Sequence, residues 1–351
     1  MNQRDRHTTR TPRSPIDPMH LVSKLTARDS WILAMLHEHR VLTTMHLAAL
    51  AFPTENLARR RLARLHSYGV LDRFRPLLPV GSAPSHWVLA RAGATILAAQ
   101  AGTEPRKLGY LPHHAETIAH SLHLNHTLGI NEWFTALATT DHRTDPADAS
   151  TGAGIGGGTP ELVIWWSQTR AARRWGDLAR PDGYGRYTHT TTAETAVLDF
   201  FLEYDLATTS LPRVAAKLFG YADLARSTGV VTPVLFWFPS LAREKHARVA
   251  LHKVWAKLPN WQQVPVATAA AALLDPDAPH PGPADRVWIP LGPTTSGRLF
   301  LHELAAVWPA RTVAPPVPES EQVPHTSGGL VSLPVPPPRC PALWREDPSA
   351  P

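Results

Sequence analysis

Val197-Leu198-Asp199-Phe200-Phe201-Leu202-Glu203-Tyr204-Asp205 is a short, mostly apolar run that closes on two carboxylates. A run of this length and composition reads as a buried strand. Residues two apart share one face of a strand, so Glu203 and Asp205 are expected to point the same way. Burying two unpaired charges is costly, which calls for a metal ion, a basic partner or the open end of a sheet. Asp182, in Arg180-Pro181-Asp182-Gly183, lies 21 residues before Glu203, and Lys217 lies 12 residues after Asp205 on an expected helix. Three carboxylates and a lysine in this order can hold a divalent ion beside a phosphodiester. They can equally be a salt-bridge cluster in which Arg213 or Lys217 holds Asp182 or Asp205.

Around this strand the pattern alternates. Strands are expected over 162–166, 180–187, 232–238, 264–267 and 287–290, and helices over 211–227 and 243–256. Helix, three strands, helix, strand, helix and further strands is the order of an α/β sheet of mixed direction. One long helix is expected from His113 to Ala138, offering His120, His123, Asn125 and His126 as outer contacts to the carboxylates. The glycines of 154–158 are followed by no Lys-Ser or Lys-Thr, so they form no phosphate-binding loop. The chain from Pro309 is dense in proline and is expected to be a disordered tail.

Towards the N-terminus the period changes. Three helices are expected near 30–40, 45–50 and 55–66, then a strand at 70–74, a turn-rich tip and a returning strand at 86–89. Helix 92–100 follows. Three helices and a two-stranded ribbon form the winged helix-turn-helix layout, whose third helix enters the major groove. That helix carries Arg59, Arg60, Arg61 and Arg64, and the ribbon carries Arg73 and Arg75, all candidate DNA contacts. Residues 1–110 hold 16 Lys or Arg against 7 Asp or Glu, whereas the rest hold 19 against 22. A basic first third fits a polyanionic partner. An ordinary solvated arginine face, or a winged helix used for protein contact, is the alternative.

The stretches Leu65-His66-Ser67-Tyr68-Gly69-Val70-Leu71, Arg180-Pro181-Asp182-Gly183, Phe200-Phe201-Leu202-Glu203-Tyr204-Asp205 and Leu211-Pro212-Arg213-Val214-Ala215-Ala216-Lys217-Leu218-Phe219-Gly220-Tyr221 resemble the actinobacterial replication-relaxation family. The resemblance covers roughly residues 28–256. It implies a winged helix followed by a domain of the restriction-endonuclease-like, PD-(D/E)xK, superfamily. It further implies Asp182 and Glu203 as metal ligands, Asp205 as an added or substitute ligand, Mg²⁺ as the ion and Lys217 as a displaced catalytic lysine. The departure is Asp205 itself, which stands where that superfamily usually has lysine. The implied function is DNA binding in replication or relaxation of plasmid-like DNA, with Mg²⁺-dependent phosphodiester cleavage. The alternatives are a non-cleaving transcriptional or replication-control factor and a toxin or restriction nuclease.

The expected layout is a basic N-terminal tail over 1–27, a winged helix over 28–101, a restriction-endonuclease-like α/β domain over 102–308 and a Pro-rich tail over 309–351. Cys340 is the single cysteine, so the chain forms no internal disulfide and zinc sites that need two or more cysteines are excluded. No run approaches 18 uninterrupted apolar residues, so no membrane span is expected, and the start has no apolar core of a signal peptide. The default is a soluble cytoplasmic protein with no small-molecule cofactor. No long heptad requires a homodimer, and the sequence leaves that state open.

Overall fold

The computed structural model describes residues 21, 23–76, 83–111, 113–140, 158–271, 282–292, 297–308, 311–312, 324–327 and 329–341. Residues 1–20 of the tail expected over 1–27, and the glycines of 154–157, lie outside the described residues; the end of that span is ordered instead, with Leu21 buried in the core and Thr26 capping the first helix. The first elements are α1 (Ala27–His39), β1 (Leu42–Thr43), α2 (Thr44–Ala51), α3 (Glu55–Ser67), β2 (Leu71–Phe74), β3 (His86–Leu89) and α4 (Arg91–Gln100). Thr26 caps α1 and Thr43 caps α2, each through a reciprocal capping box; Thr54 accepts from Leu57 N to start α3. β1, β3 and β2 form an antiparallel sheet beside the helices. The two-residue strand β1 has no counterpart in the sequence expectation, being too short to show a period.

The expected long helix is two: α5 (His114–Ala119) and α6 (Leu124–Ala138). Between them Ser121 turns the chain, its carbonyl taking Leu124 N and its hydroxyl taking His123 N. Serine competes with the helix for backbone groups in this way.

A six-stranded sheet follows: β4 (Thr159–Ser167), β5 (Gly183–Thr190), β6 (Thr195–Tyr204), β7 (Val234–Phe238), β8 (Val266–Ala270) and β9 (Ile289–Pro290), in that spatial order. β4, β5 and β6 are antiparallel neighbours, β6, β7 and β8 are parallel, and β9 returns antiparallel. The helix α7 (Gln168–Trp175) follows β4, while α8 (Leu211–Thr228) and α9 (Leu241–Trp255) make the two parallel crossovers. The expected mixed α/β sheet is present; α7 was not expected.

Alternation along β6 sorts its side chains. Leu198, Phe200 and Leu202 face one core with Leu235 and Trp237 of β7. Phe201 faces the other, with Phe236 and the buried side of α8, Val214, Leu218 and Tyr221. Glu203 shares the parity of Phe201 and is thereby aimed at α8.

The first core is continuous with that of the helical unit. His39, after α1's buried stretch, stacks on Trp165 of β4 with ring centroids 3.8 Å apart. Burial lowers that imidazole to about 4, so it is neutral at pH 7. Beside it, the buried Glu38 takes Arg170 Nε at 3.1 Å and Nη2 at 2.9 Å, and also accepts from Ser167 N and Oγ.

Part of the C-terminal region corrects an expectation. After α10 (Leu304–Val307), β10 (His325–Ser327) and β11 (Leu330–Ser332) pair as a hairpin, and residues within 333–341 pack onto α1, α2 and α7. Trp31 Nε1 donates to Pro337 O at 2.8 Å, Cys340 N donates to Leu50 O at 3.0 Å, and Arg170 Nη2 donates to Leu333 O at 2.7 Å. Proline removes backbone donors but leaves every carbonyl available as an acceptor. Composition signalled disorder because it registers the lost donors and not these acceptors.

Candidate functional site

Asp182 immediately precedes β5, and Glu203 is the penultimate residue of β6. Gly183 pairs with Leu202 across the two strands, so the register sets the carboxylates close together. Both side chains are buried. Lys217, on the second turn of α8, brings its ammonium to Glu203 Oε2 and within 3.8 Å of Asp182 Oδ2. Tyr221, one helical turn further, donates its hydroxyl to Glu203 Oε1. The Lys217 side chain remains 41% exposed, so the cluster opens to solvent at the lysine.

Asp182 has further partners that the sequence reading offered only as a group or missed. His126 Nε2 lies 3.3 Å from Asp182 Oδ2 and 2.9 Å from Tyr204 O. Tyr204 N donates to the same Oδ2 at 2.9 Å. Gln168 Nε2, at the start of α7, donates to Oδ1 at 3.3 Å. The turn at Ser121 starts α6 afresh and so contributes to His126's placement, whereas His120, His123 and Asn125 are exposed. Gly129 permits the close approach, since a methyl group there would overlap the Tyr204 ring. No spacing signal in the sequence joins Gln168 or His126 to Asp182; only the sheet does.

The electrostatics divide the two acids. Burial pushes the Glu203 carboxyl up to about 7, with the negative charge of Asp182 adding to the effect and Lys217 and Tyr221 opposing it. Burial also acts to raise Asp182, but the His126 hydrogen bond, the Lys217 charge and Tyr204 N outweigh it and hold the carboxyl below its ordinary value. His126 is raised: burial opposes its charge, but the bond to Asp182 prevails. Lys217 is likewise held above the usual lysine range by Glu203 and Asp182 against the effect of burial.

Asp205 is held by a partner of its own. Expected as a third ligand, it lies one residue beyond β6 with its carboxylate on Arg243 of α9, Nε to Oδ2 at 2.7 Å. Arg243 also reaches Thr209 O, tying down the segment after β6. Neither of the expected partners, Arg213 or Lys217, pairs with it; Lys217 feels its charge at longer range. Among the described residues, no group of three or more His, Cys, Asp or Glu side chains is placed to hold a metal ion.

The arginines of the helical unit also divide. Arg61 makes two bonds to the fully buried Asp29 of α1, with Nε to Oδ1 at 2.9 Å, and so ties α3 to α1 instead of facing outwards. Arg59 pairs with Glu55 one turn away. Arg73 lies over the Trp87 ring at 5.6 Å, and Arg75 Nε donates to Ser85 Oγ at 2.9 Å. Arg60 and Arg64, four residues apart, are exposed and enter no ion pair among the described residues.

Residues 33–241 match the replication-relaxation family. The chain belongs to the replication-relaxation family. The match runs from α1 to the start of α9 and includes Arg60, Arg64, Asp182, Glu203, Asp205, Lys217 and Tyr221. It leaves Arg243 and the C-terminal hairpin beyond the matched stretch. No curated protein and no solved structure matches this family member. Among its described residues, no helix is long and apolar enough to cross a membrane.

Proposed function

We propose that this replication-relaxation protein binds DNA through a winged helix over residues 28–101. In the same reading, residues 102–308 form a PD-(D/E)xK-like domain that carries a phosphodiester-cleaving site. The observation that carries the reading is the convergence of Asp182, Glu203 and Lys217, from the ends of adjacent strands and the following helix, at a point open to solvent. Helix order supports the first half: α3, third of three and followed by the β2–β3 ribbon, presents Arg60 and Arg64 outwards.

Two carboxylates that face one cation position fit Mg²⁺, which commonly binds through one or two carboxylates and keeps several waters. Asp182 and Glu203 are the residues to hold it, and it would supply a polarised water and charge neutralisation at the phosphate. His126, Gln168 and Tyr204 N orient the Asp182 carboxylate, and Tyr221 orients Glu203. Lys217 then places positive charge where the phosphate gathers negative charge. The test is nicking of supercoiled plasmid by wild type, Glu203→Gln and Lys217→Met with Mg²⁺, Mn²⁺ or EDTA. Cleavage by wild type alone, abolished by EDTA, supports the site; equal cleavage by all three proteins rejects it.

A second reading has its own observation. Lys217 and His126 already lie against the Asp182–Glu203 pair, and Asp205 is paired with Arg243. A cluster complete in itself suits a non-cleaving replication-control factor that keeps the nuclease-like domain as a scaffold. Retained DNA binding with no nicking by any of the three proteins selects it.

A further inference from the structure

We propose that the seam between the helical unit and the sheet carries a second contact surface for the DNA backbone, formed by Arg40, Arg173 and Arg174. It rests on the DNA-binding reading above, and it adds duplex contacts beyond α3 and the β2–β3 ribbon, two of them on α7 outside the winged helix.

Arg40 follows α1 with φ 68° and ψ −48°. Val41 N donates to His39 O at 2.8 Å across it, which makes Arg40 the apex of a three-residue turn of the rare, strained kind. Glycine would adopt this backbone without strain. The turn is held from α6, where Asn131 Nδ2 donates to Val41 O at 2.7 Å and His39 O at 3.3 Å. A left-handed arginine pinned on both sides and exposed at its side chain is a costly way to end a helix unless the guanidinium has a use.

α7 approaches the same seam. Its Arg170 and Ala171 are buried, Arg170 against Glu38 two residues before Arg40, while Arg173 and Arg174 are exposed. Glu38, the acid on this seam, is fully engaged by Arg170. Arg40, Arg173 and Arg174 enter no ion pair among the described residues. The concentration of positive charge is felt by its neighbours. After burial, Arg40 and His37 help lower His114 to about 4, and Arg170 and Arg173 help lower His37. Exposed guanidinium groups with no acid against them suit phosphate oxygens.

α1 meets α3 near its start through Asp29–Arg61 and reaches Arg40 at its end. Its length, about 20 Å at 1.5 Å per residue, equals about six base pairs at 3.4 Å each. The α7 start supplies Gln168 to Asp182, so the seam also borders the carboxylate site.

The experiment compares wild type, Arg40→Gly, the triple variant R40G/R173A/R174A and R60A/R64A, each by thermal melting and by DNA-binding anisotropy across a salt series. Probes are an 8-base-pair and a 30-base-pair duplex. Arg40→Gly is expected to melt no lower than wild type, because glycine relieves the turn. The triple variant is expected to lose about tenfold in affinity for the long duplex, with the salt slope falling by about 0.9 for each phosphate no longer neutralised. The loss should appear on the short duplex as well, since 8 base pairs span about 27 Å and α1 about 20 Å. Unchanged affinity and slope in the triple variant, with binding weakened in R60A/R64A, overturns the seam and leaves the DNA reading standing. Absence of wild-type binding to either duplex at low salt removes the DNA reading, and the seam with it.

Discussion

Two buried glutamates in this protein each face a cation, and burial affects them with opposite net results. Glu38 is held down at about 2: burial alone would raise it, but Arg170's charge and hydrogen bonds, with Ser167, prevail. Glu203 is pushed up to about 7 by burial, with the charge of Asp182 adding to it and Lys217 and Tyr221 opposing it. Arg170 offers Glu38 a planar fork; Lys217 offers Glu203 a single ammonium. The first pair is closed and satisfied on all sides. The second brings two carboxylates together, with Lys217 at the solvent-facing edge and His126 against Asp182. Ion pairing alone therefore does not separate a clasp from a candidate site; the number of carboxylates brought together does.

The largest effect is expected on the clasp. Glu38→Gln leaves the buried Arg170 charge without its counter-ion and should lower stability by about 3–5 kcal/mol at pH 7. Because the folded Glu38 titrates below its ordinary value, its contribution is present above about 4.5 and is lost as pH falls towards about 2. Denaturant melts at pH 7 and pH 3 check both parts: the gap between wild type and Glu38→Gln should narrow at the lower pH. A constant gap would break the contrast between the two glutamates.

The α3 arginines sharpen the same distinction one step down in size. Arg61→Ala strips a fully buried Asp29 of its partner and should cost about 3 kcal/mol. R60A/R64A, altering exposed side chains, should stay within about 0.5 kcal/mol of wild type while weakening DNA binding. Chemical denaturation set beside anisotropy separates the two. If R60A/R64A is the more destabilising variant, the division of labour on α3 is wrong.

Glu203 gives a smaller effect with the opposite sign in pH. A carboxyl raised in the folded state binds protons there that the unfolded chain has released. Stability is therefore lost as pH rises from about 4.5 to about 7. Glu203→Gln has no such titration, so its melting temperature relative to wild type should rise over that interval. A difference that stays flat from pH 4.5 to pH 7 contradicts the raised carboxyl.

Much of this architecture could be read in the chain because it is written locally. The caps Thr43 and Thr54, the apolar run of β6 and the helical spacing of Lys217 and Tyr221 all act within a few residues, whereas α1 starts at Thr26, ahead of its expected start near residue 30. The expectation that Lys217 returns to Glu203 followed from parity on β6 and a crossover helix. What could not be read is set by pairings across long stretches of sequence. Arg243 takes Asp205 from 38 residues away, Arg170 finds Glu38 across 132, and Trp31 meets Pro337 across 306. Arg61 looked no different from Arg60 in sequence, since a solvated arginine and one bound to a buried aspartate share the same helical pattern. The C-terminal segment misled for a related reason: its carbonyls are satisfied by donors that lie in α1 and α7, and its Cys340 N–H by a carbonyl of α2.

The most delicate consequence of the contrast lies in what Lys217 does to a divalent ion. Its ammonium binds Glu203 and stands near Asp182, the same anionic oxygens that a metal would use. An ion must therefore compete with a tethered cation, and its affinity in wild type is reduced by that competition. Lys217→Met removes the competitor and leaves both acids in place, so Mn²⁺ should bind more tightly, by about tenfold if about 1.4 kcal/mol of competing attraction is removed. Phosphodiester cleavage should nevertheless fall, because the charge that meets the phosphate is gone. Glu38→Gln, altering the closed pair, should leave Mn²⁺ affinity unchanged when measured under conditions where the protein remains folded. Calorimetric titration of Mn²⁺ into the three proteins decides the matter without reference to turnover. Equal affinity in wild type and Lys217→Met would show that the lysine does not share the ion's position, and the two glutamates would then differ in charge but not in use.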